Sequence, residues 1–193
     1  MAMKASMLLL SYSAFFWAGT ASAQQASDVS GTVSIDGTVT PLCQLGPPSR
    51  TSVDLGVLIA TSGERAGRMA SFGPQQINLP GSFCNFAGSA VSISAKAMLS
   101  DADGNVPTGF ARAVNFTSTV SNWASENAVV TTAASAAGDT SDADGSGGIM
   151  PEPHVADLPL VLSNFTAPGD NLLIAGSYSG TVTITLGPAE TAN

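Results

Sequence analysis

Tyr178-Ser-Gly-Thr-Val-Thr-Ile-Thr-Leu186 settles into strict alternation from Thr181 onward. Val182, Ile184 and Leu186 fall on one side, and Thr181, Thr183 and Thr185 on the other. A period of two is that of a strand with one buried face, and β-branched side chains suit a pleated, half-buried surface. The same rhythm recurs towards the N-terminus. Ala90-Val-Ser-Ile-Ser-Ala-Lys-Ala-Met-Leu99 alternates cleanly, as does Ala111 to Val120. Shorter candidates are Val53–Leu58, Gln75–Leu79, Asn127–Thr132 and Leu158–Leu162. From Val29 to Val39, one face carries Val29, Gly31, Val33, Ile35, Gly37 and Val39, which reads as one long half-buried strand or two consecutive ones.

Turn-rich stretches separate these runs: Gly46-Pro-Pro-Ser49, Ser100 to Asn105, Gly138 to Gly148 and Ala167 to Asn171. Short strands at such spacing predict an all-β sandwich. A helical reading fails even in the Ala-rich stretch 124–137, because Val129-Val-Thr-Thr132 is a β-branched run. The Gly/Ser/Asp stretch 138–148 has too little apolar surface to bury and reads as a mobile surface loop.

Six Lys+Arg face 14 Asp+Glu, for a formal net charge of −8. That balance lacks the basic footprint of nucleic-acid binding and disfavours docking on an anionic membrane. One His and two Cys are too few for a four-ligand zinc site within the chain. At the N-terminus, Lys4 precedes an apolar run from Met7 to Gly19, followed by Ala21-Ser-Ala23. A charged start, a short apolar core and Ala-x-Ala read as a secretory signal peptide spanning residues 1–23. The run is shorter than the roughly 20 residues of a spanning helix, so no membrane span is expected after cleavage. Export places Cys43 and Cys84 in an oxidising compartment, where a lone pair reads most simply as one disulfide. Two buried thiols are the alternative.

Chemistry has little foothold. Ser-Asp-Ala-Asp-Gly occurs at 100–104 and 141–145, resembling the start of a calcium loop. The twelfth position, which should be Glu, is Arg112 from Asp101 and Pro153 from Asp142. Solvated Asp-Gly turns are the simpler reading, and no metal site or cofactor is expected. The sequence has no Gly-x-Ser-x-Gly elbow and no phosphate-cradling loop. His154 lies in Pro151-Glu-Pro-His154, which reads as an exposed loop without a group to orient the imidazole. Neither a catalytic residue nor an enzymatic activity is expected. Asn115-Phe-Thr117 and Asn164-Phe-Thr166 match glycosylation acceptors, which matter only in a eukaryotic secretory route.

One ordered set of features resembles a family. Gly31-Thr-Val-Ser-Ile-Asp-Gly-Thr-Val-Thr-Pro-Leu-Cys43 precedes Val53-Asp-Leu-Gly56, then Cys84, then the β-branched final strand. This resembles the major subunits of chaperone–usher pili (fimbriae) of Gram-negative bacteria over residues 24–99 and the final strand. Gly176-Ser-Tyr178-Ser-Gly-Thr-Val-Thr183 is also similar to the spore-coat-U-like secreted domains.

The pilus resemblance implies an immunoglobulin-like sandwich lacking its last strand, with residues 36–193 as the body. It implies a disulfide between Cys43 and Cys84. It also implies that residues 24–35 are an N-terminal extension, with Val29, Gly31, Val33 and Ile35 as a donor strand for a neighbouring copy. A second reading makes these residues the chain's own first strand. Implied partners are further copies of the chain, a periplasmic chaperone and an outer-membrane usher. The implied location is the periplasm in transit and then the cell surface, with a role in adhesion. The sequence departs from the family at its end, where Ala192 stands in place of the usual penultimate aromatic residue. The alternative function is a self-contained secreted sandwich that binds a ligand without polymerising.

Overall fold

A computed structural model describes residues 28–139 and 142–189. The expected signal peptide, residues 24–27 of the extension and the last four residues lie outside the described residues. The chain divides into a unit ending at Thr38 and a unit beginning at Val39. In the first, residues 28–38 form neither helix nor strand, and every one of them is exposed. The half-buried strand expected from Val29 is therefore not formed.

Among its described residues the second unit contains ten strands: β1 (Cys43–Gln44), β2 (Gln75–Cys84), β3 (Ser89–Ser100), β4 (Phe110–Ala111), β5 (Ala113–Val120), β6 (Ala128–Thr131), β7 (Ala143–Ser146), β8 (His154–Thr166), β9 (Leu172–Leu173) and β10 (Tyr178–Pro188). The described residues include no α-helix, and no helix among them is long and apolar enough to cross a membrane.

The protein is all-β and, apart from the short parallel pair β4–β9, antiparallel. One layer runs β1-β2-β8-β5-β6 and the other β7-β3-β10. β5 belongs to both. Ala113 and Val114 pair with Leu99 and Met98 of β3, and from Asn115 onward the strand pairs with β8. Both Ala113 and Val114 are wholly buried, because the strand is covered on both faces where it crosses between layers.

Between the layers lies one core: Ile77 and Leu79 of β2, Val91 and Ile93 of β3, Phe116 and Val120 of β5, Val130 of β6, and Leu158 and Leu160 of β8. Val182, Ile184 and Leu186 of β10 pack against it but are only partly buried. A smaller cluster of Met69, Ala111, Val114, Ala167 and Leu173 fills one end.

The structure extends or revises several sequence expectations. β2 does not stop at Pro80-Gly81. A register shift between Leu79 and Ser82 absorbs the pair, with Gly81 at φ 65° and its N–H held by Asp157 Oδ1 at 2.8 Å. Residues 143–146, expected to lie in a mobile loop, pair with Ser92–Ala95 as β7. A ladder needs backbone groups, not apolar side chains, so composition hid it. His154, expected in an exposed loop, opens β8 and sits edge-on to the Trp123 indole, with ring centroids 5.2 Å apart. Val53–Leu58, expected as a strand, is irregular. Asp54 Oδ1 accepts the Gly56 N–H at 2.8 Å, and Gly56 takes φ 68°, a local turn that competes with a ladder.

Candidate functional site

The two layers are closed on one side and open on the other. On the closed side β6 and β7 meet backbone to backbone: a Cβ on Gly145 would overlap the carbonyl of Val129. On the open side β10 is the last strand of its layer. Its ladder to β3 runs from Tyr178 to Pro188, and no strand pairs with its other edge among the described residues.

Facing that edge is the irregular segment that follows β1. It is held against β2 by four devices. Cys43 and Cys84 are disulfide-bonded. The Gly46 N–H donates to the buried Ser82 hydroxyl at 2.9 Å, and that hydroxyl donates to Leu79 O at 3.1 Å. Ser49 binds Asn78 through N–H to O at 2.7 Å and through Asn78 N–H to Ser49 Oγ at 3.0 Å. Arg50 Nη2 donates to Gln76 O at 3.0 Å. Gly46 sits so close to the Pro80 carbonyl that no side chain fits there.

Between this segment and β10 runs a groove of about 600 Å³. Leu45, Val53 and Leu55 form one lip, and Val182 and Ile184 the other. Its floor is the core itself: Ile77, Leu79, Phe116 and Leu160 all line it. An apolar interior open to water along a free strand edge is what natural sheets ordinarily cover. The groove runs on, past Val53, Leu55, Met98 and Tyr178, into a second hollow of about 540 Å³ bounded by residues 53–59 and 173–178.

Tyr178 stands where the two hollows meet. Its hydroxyl lies 2.8 Å from Ile174 O and 3.3 Å from Ala111 O, and burial pushes the phenol above its ordinary value. Two residues on, Gly180 sits at the register shift of β10, where a Cβ would come within 2.9 Å of Lys96 O and 3.0 Å of Met98 N. Glycine is required there by space.

The expected donor residues Val29, Gly31, Val33 and Ile35 lie in the first unit. The three larger side chains are almost fully exposed, at 95%, 84% and 93%. The far lip carries the alternation of Val53–Leu58 yet forms no ladder, so irregular chain and not a strand borders the groove on that side. The acidic repeats are put to separate uses. Asp101 Oδ1 accepts the Ser177 N–H at 2.8 Å, and Asp142 pairs with Lys96 at 3.3 Å. Among the described residues no three His, Cys, Asp or Glu side chains converge.

Comparison with family models, with curated proteins and with solved structures finds no match for this chain.

Proposed function

We propose that the protein is a structural subunit of a surface fibre of the fimbrial type, assembled by donor-strand exchange between copies of the chain. In this reading the body is an immunoglobulin-like sandwich short of its last strand, and residues 24–35 of one copy lie in the groove of the next. The single observation that carries it is a groove floored by the hydrophobic core and bordered by the unpaired edge of β10.

The occupant is argued from the chain's own exposed segment. Val29, Gly31, Val33, Ile35, Gly37 and Val39 alternate with Ser30, Thr32, Ser34, Asp36 and Thr38. Eleven extended residues reach about 36 Å, and the nine from Tyr178 to Leu186 about 30 Å, so the segment is long enough to run beside β10. Each Val or Ile moved from water into the groove contributes roughly 1.5–3 kcal/mol, and the β10 edge supplies the ladder. The single disulfide suits an exported protein. Transit through the periplasm with a chaperone and an usher, display at the cell surface and a part in adhesion belong to the same proposal.

The test is to delete residues 24–35 and follow assembly by size and by electron microscopy. The truncated chain is expected to bind a synthetic 24–35 peptide yet form no fibres. If the deletion unfolds the body and added peptide does not restore it, the segment is an integral strand and the self-contained sandwich is the better reading.

A further inference from the structure

A chain that carries both a groove and a strand able to fill it has a problem of self-capture. A tethered segment that can reach its own groove does so at a millimolar effective concentration, far above that of any neighbour. The sequence at the root of the segment invites such a reversal. Thr40-Pro41-Leu42-Cys43 places proline at the second position of a four-residue turn, where its fixed φ favours type I and II turns.

Asn85 occupies the backbone groups that this reversal needs. Its Nδ2 donates to Thr40 O at 3.0 Å, and its Oδ1 accepts from Leu42 N at 2.7 Å. Its own backbone N–H donates to Leu42 O at 3.0 Å. A turn over residues 40–43 would be closed by Thr40 O, and a turn over 39–42 by Leu42 N–H. Both groups are already engaged. Pro41 has no N–H to offer in their place. The next residue in each direction is the disulfide, with Cys43 following Leu42 and Cys84 preceding Asn85. From Thr40 to Pro48 the backbone makes no turn or bend.

We propose that Asn85 is a positioning residue. Its side-chain amide holds Thr40–Leu42 straight, so that the segment before them is offered to a second copy of the chain and not turned back into its own groove. This rests on the reading of the groove as a strand acceptor. Loss of the amide frees the Thr40–Cys43 turn and shifts the chain from assembly towards a closed monomer.

The experiment uses the full chain and a labelled synthetic peptide of residues 28–39, at protein concentrations too low for fibres. The parent is expected to bind the peptide. Asn85→Ala is expected to bind it about tenfold more weakly, because the tethered strand competes, and to protect the amides of residues 29–35 from hydrogen exchange in the monomer. Asn85→Asp keeps the acceptor for Leu42 N–H but loses the donor to Thr40 O, and should fall between the two. Adding Ile35→Asp to Asn85→Ala disables the tethered strand and should restore parental peptide binding. A merely structural role for Asn85 would not give that rescue. Parental binding with unprotected amides in both single variants, or weakened binding that Ile35→Asp does not restore, overturns the proposal. If the parent itself does not bind the peptide, the groove is not an acceptor, and the inference falls with that reading.

Discussion

Gly145 of β7 lies so close to the carbonyl of Val129 in β6 that no side chain fits between them. The contact ties the edge of one layer to the edge of the other and shuts one side of the core. At the opposite side, β10 has no counterpart to β6 among the described residues, and the core is left open. A methyl group at position 145 must displace backbone, and its cost belongs with overpacking, roughly 1–3 kcal/mol. Gly145→Ala is therefore expected to lower the thermal midpoint by several degrees, while Gly37→Ala, with open space around it, leaves it unchanged. Equal midpoints for the two variants would show that β6 and β7 can part without loss.

The strands of the closed layers were legible because their side chains obey one rule: apolar in, polar out. β3 and β10 coincide with the alternating runs almost to the residue. What the sequence concealed followed backbone geometry. β7 is Ala-Asp-Gly-Ser, with no apolar face to reveal it, and it exists because Gly145 permits the close approach. β2 and β8 outrun their apolar cores because a bulge at Pro80-Gly81 and paired backbone groups extend the ladder. The groove was half legible. Its β10 lip alternates, whereas the lip from Leu45 to Leu55 is pinned by Ser82, Asn78 and the disulfide, contacts distant in sequence that no local pattern encodes. Val29 to Val39 alternates like a buried strand yet is exposed. Alternation specifies a face that favours burial, and it is silent on which molecule supplies the cover.

The disulfide pins the far lip of the groove at one end, so its loss should matter beyond stability. Closing a loop of about 42 residues is worth roughly 4 kcal/mol in the chain-entropy account. The paired variant Cys43→Ala with Cys84→Ala is expected to lose about that much in denaturant unfolding, and to bind the donor peptide more weakly because β1 is no longer anchored. Thiol titration of the unfolded, unreduced parent should detect no thiol; two would contradict the bond.

Tyr178 offers a spectroscopic view of the groove. It is the only tyrosine after the expected cleavage point. Desolvation by burial raises its phenol. A raised folded value stabilises the fold below the unfolded value of about 10, and that contribution is lost as pH rises through the folded value. An absorbance titration should therefore place the midpoint above that of free tyrosine. Donor peptide should raise it further by excluding water. A midpoint unmoved by saturating peptide would mean that the peptide binds elsewhere.

Asp170 joins two distant loops, accepting Arg65 Nη2 at 2.8 Å with Arg68 Nη1 at 3.4 Å. The Arg65 hydrogen bond holds its carboxyl below the ordinary value despite the opposing effect of desolvation. A lowered folded value contributes stability above the unfolded value of about 3.9, lost as pH falls through the folded one. The pair is exposed, so the effect is small. Asp170→Asn should flatten part of the acid limb of the thermal midpoint below about pH 4 and leave neutral pH almost unchanged. An identical acid limb in parent and variant would assign that limb to other carboxylates.

The strongest demand on the fibre reading is that donor and acceptor be separable. Val33→Asp puts an unpaired charge on the buried face of the segment, at a cost that should abolish insertion, yet leaves the groove intact. Val182→Asp spoils the β10 lip, where Val182 is half-buried, yet leaves the segment intact. Gly31→Leu tests fit more gently. If the groove is shallow opposite Gly31, overpacking costs roughly 1–3 kcal/mol, a loss of about five- to 150-fold in peptide affinity. Alone, neither Asp variant should form fibres. Mixed, the intact segment of the Val182→Asp chain should fill the intact groove of the Val33→Asp chain, and growth should end there, since the resulting pair has one spoiled groove and one spoiled segment. The expected product is a heterodimer by sedimentation and no fibre by electron microscopy. Circular dichroism on the Val182→Asp chain alone separates a spoiled lip from a lost fold. Long fibres from the mixture, or from either variant alone, would mean that the copies associate through some other surface.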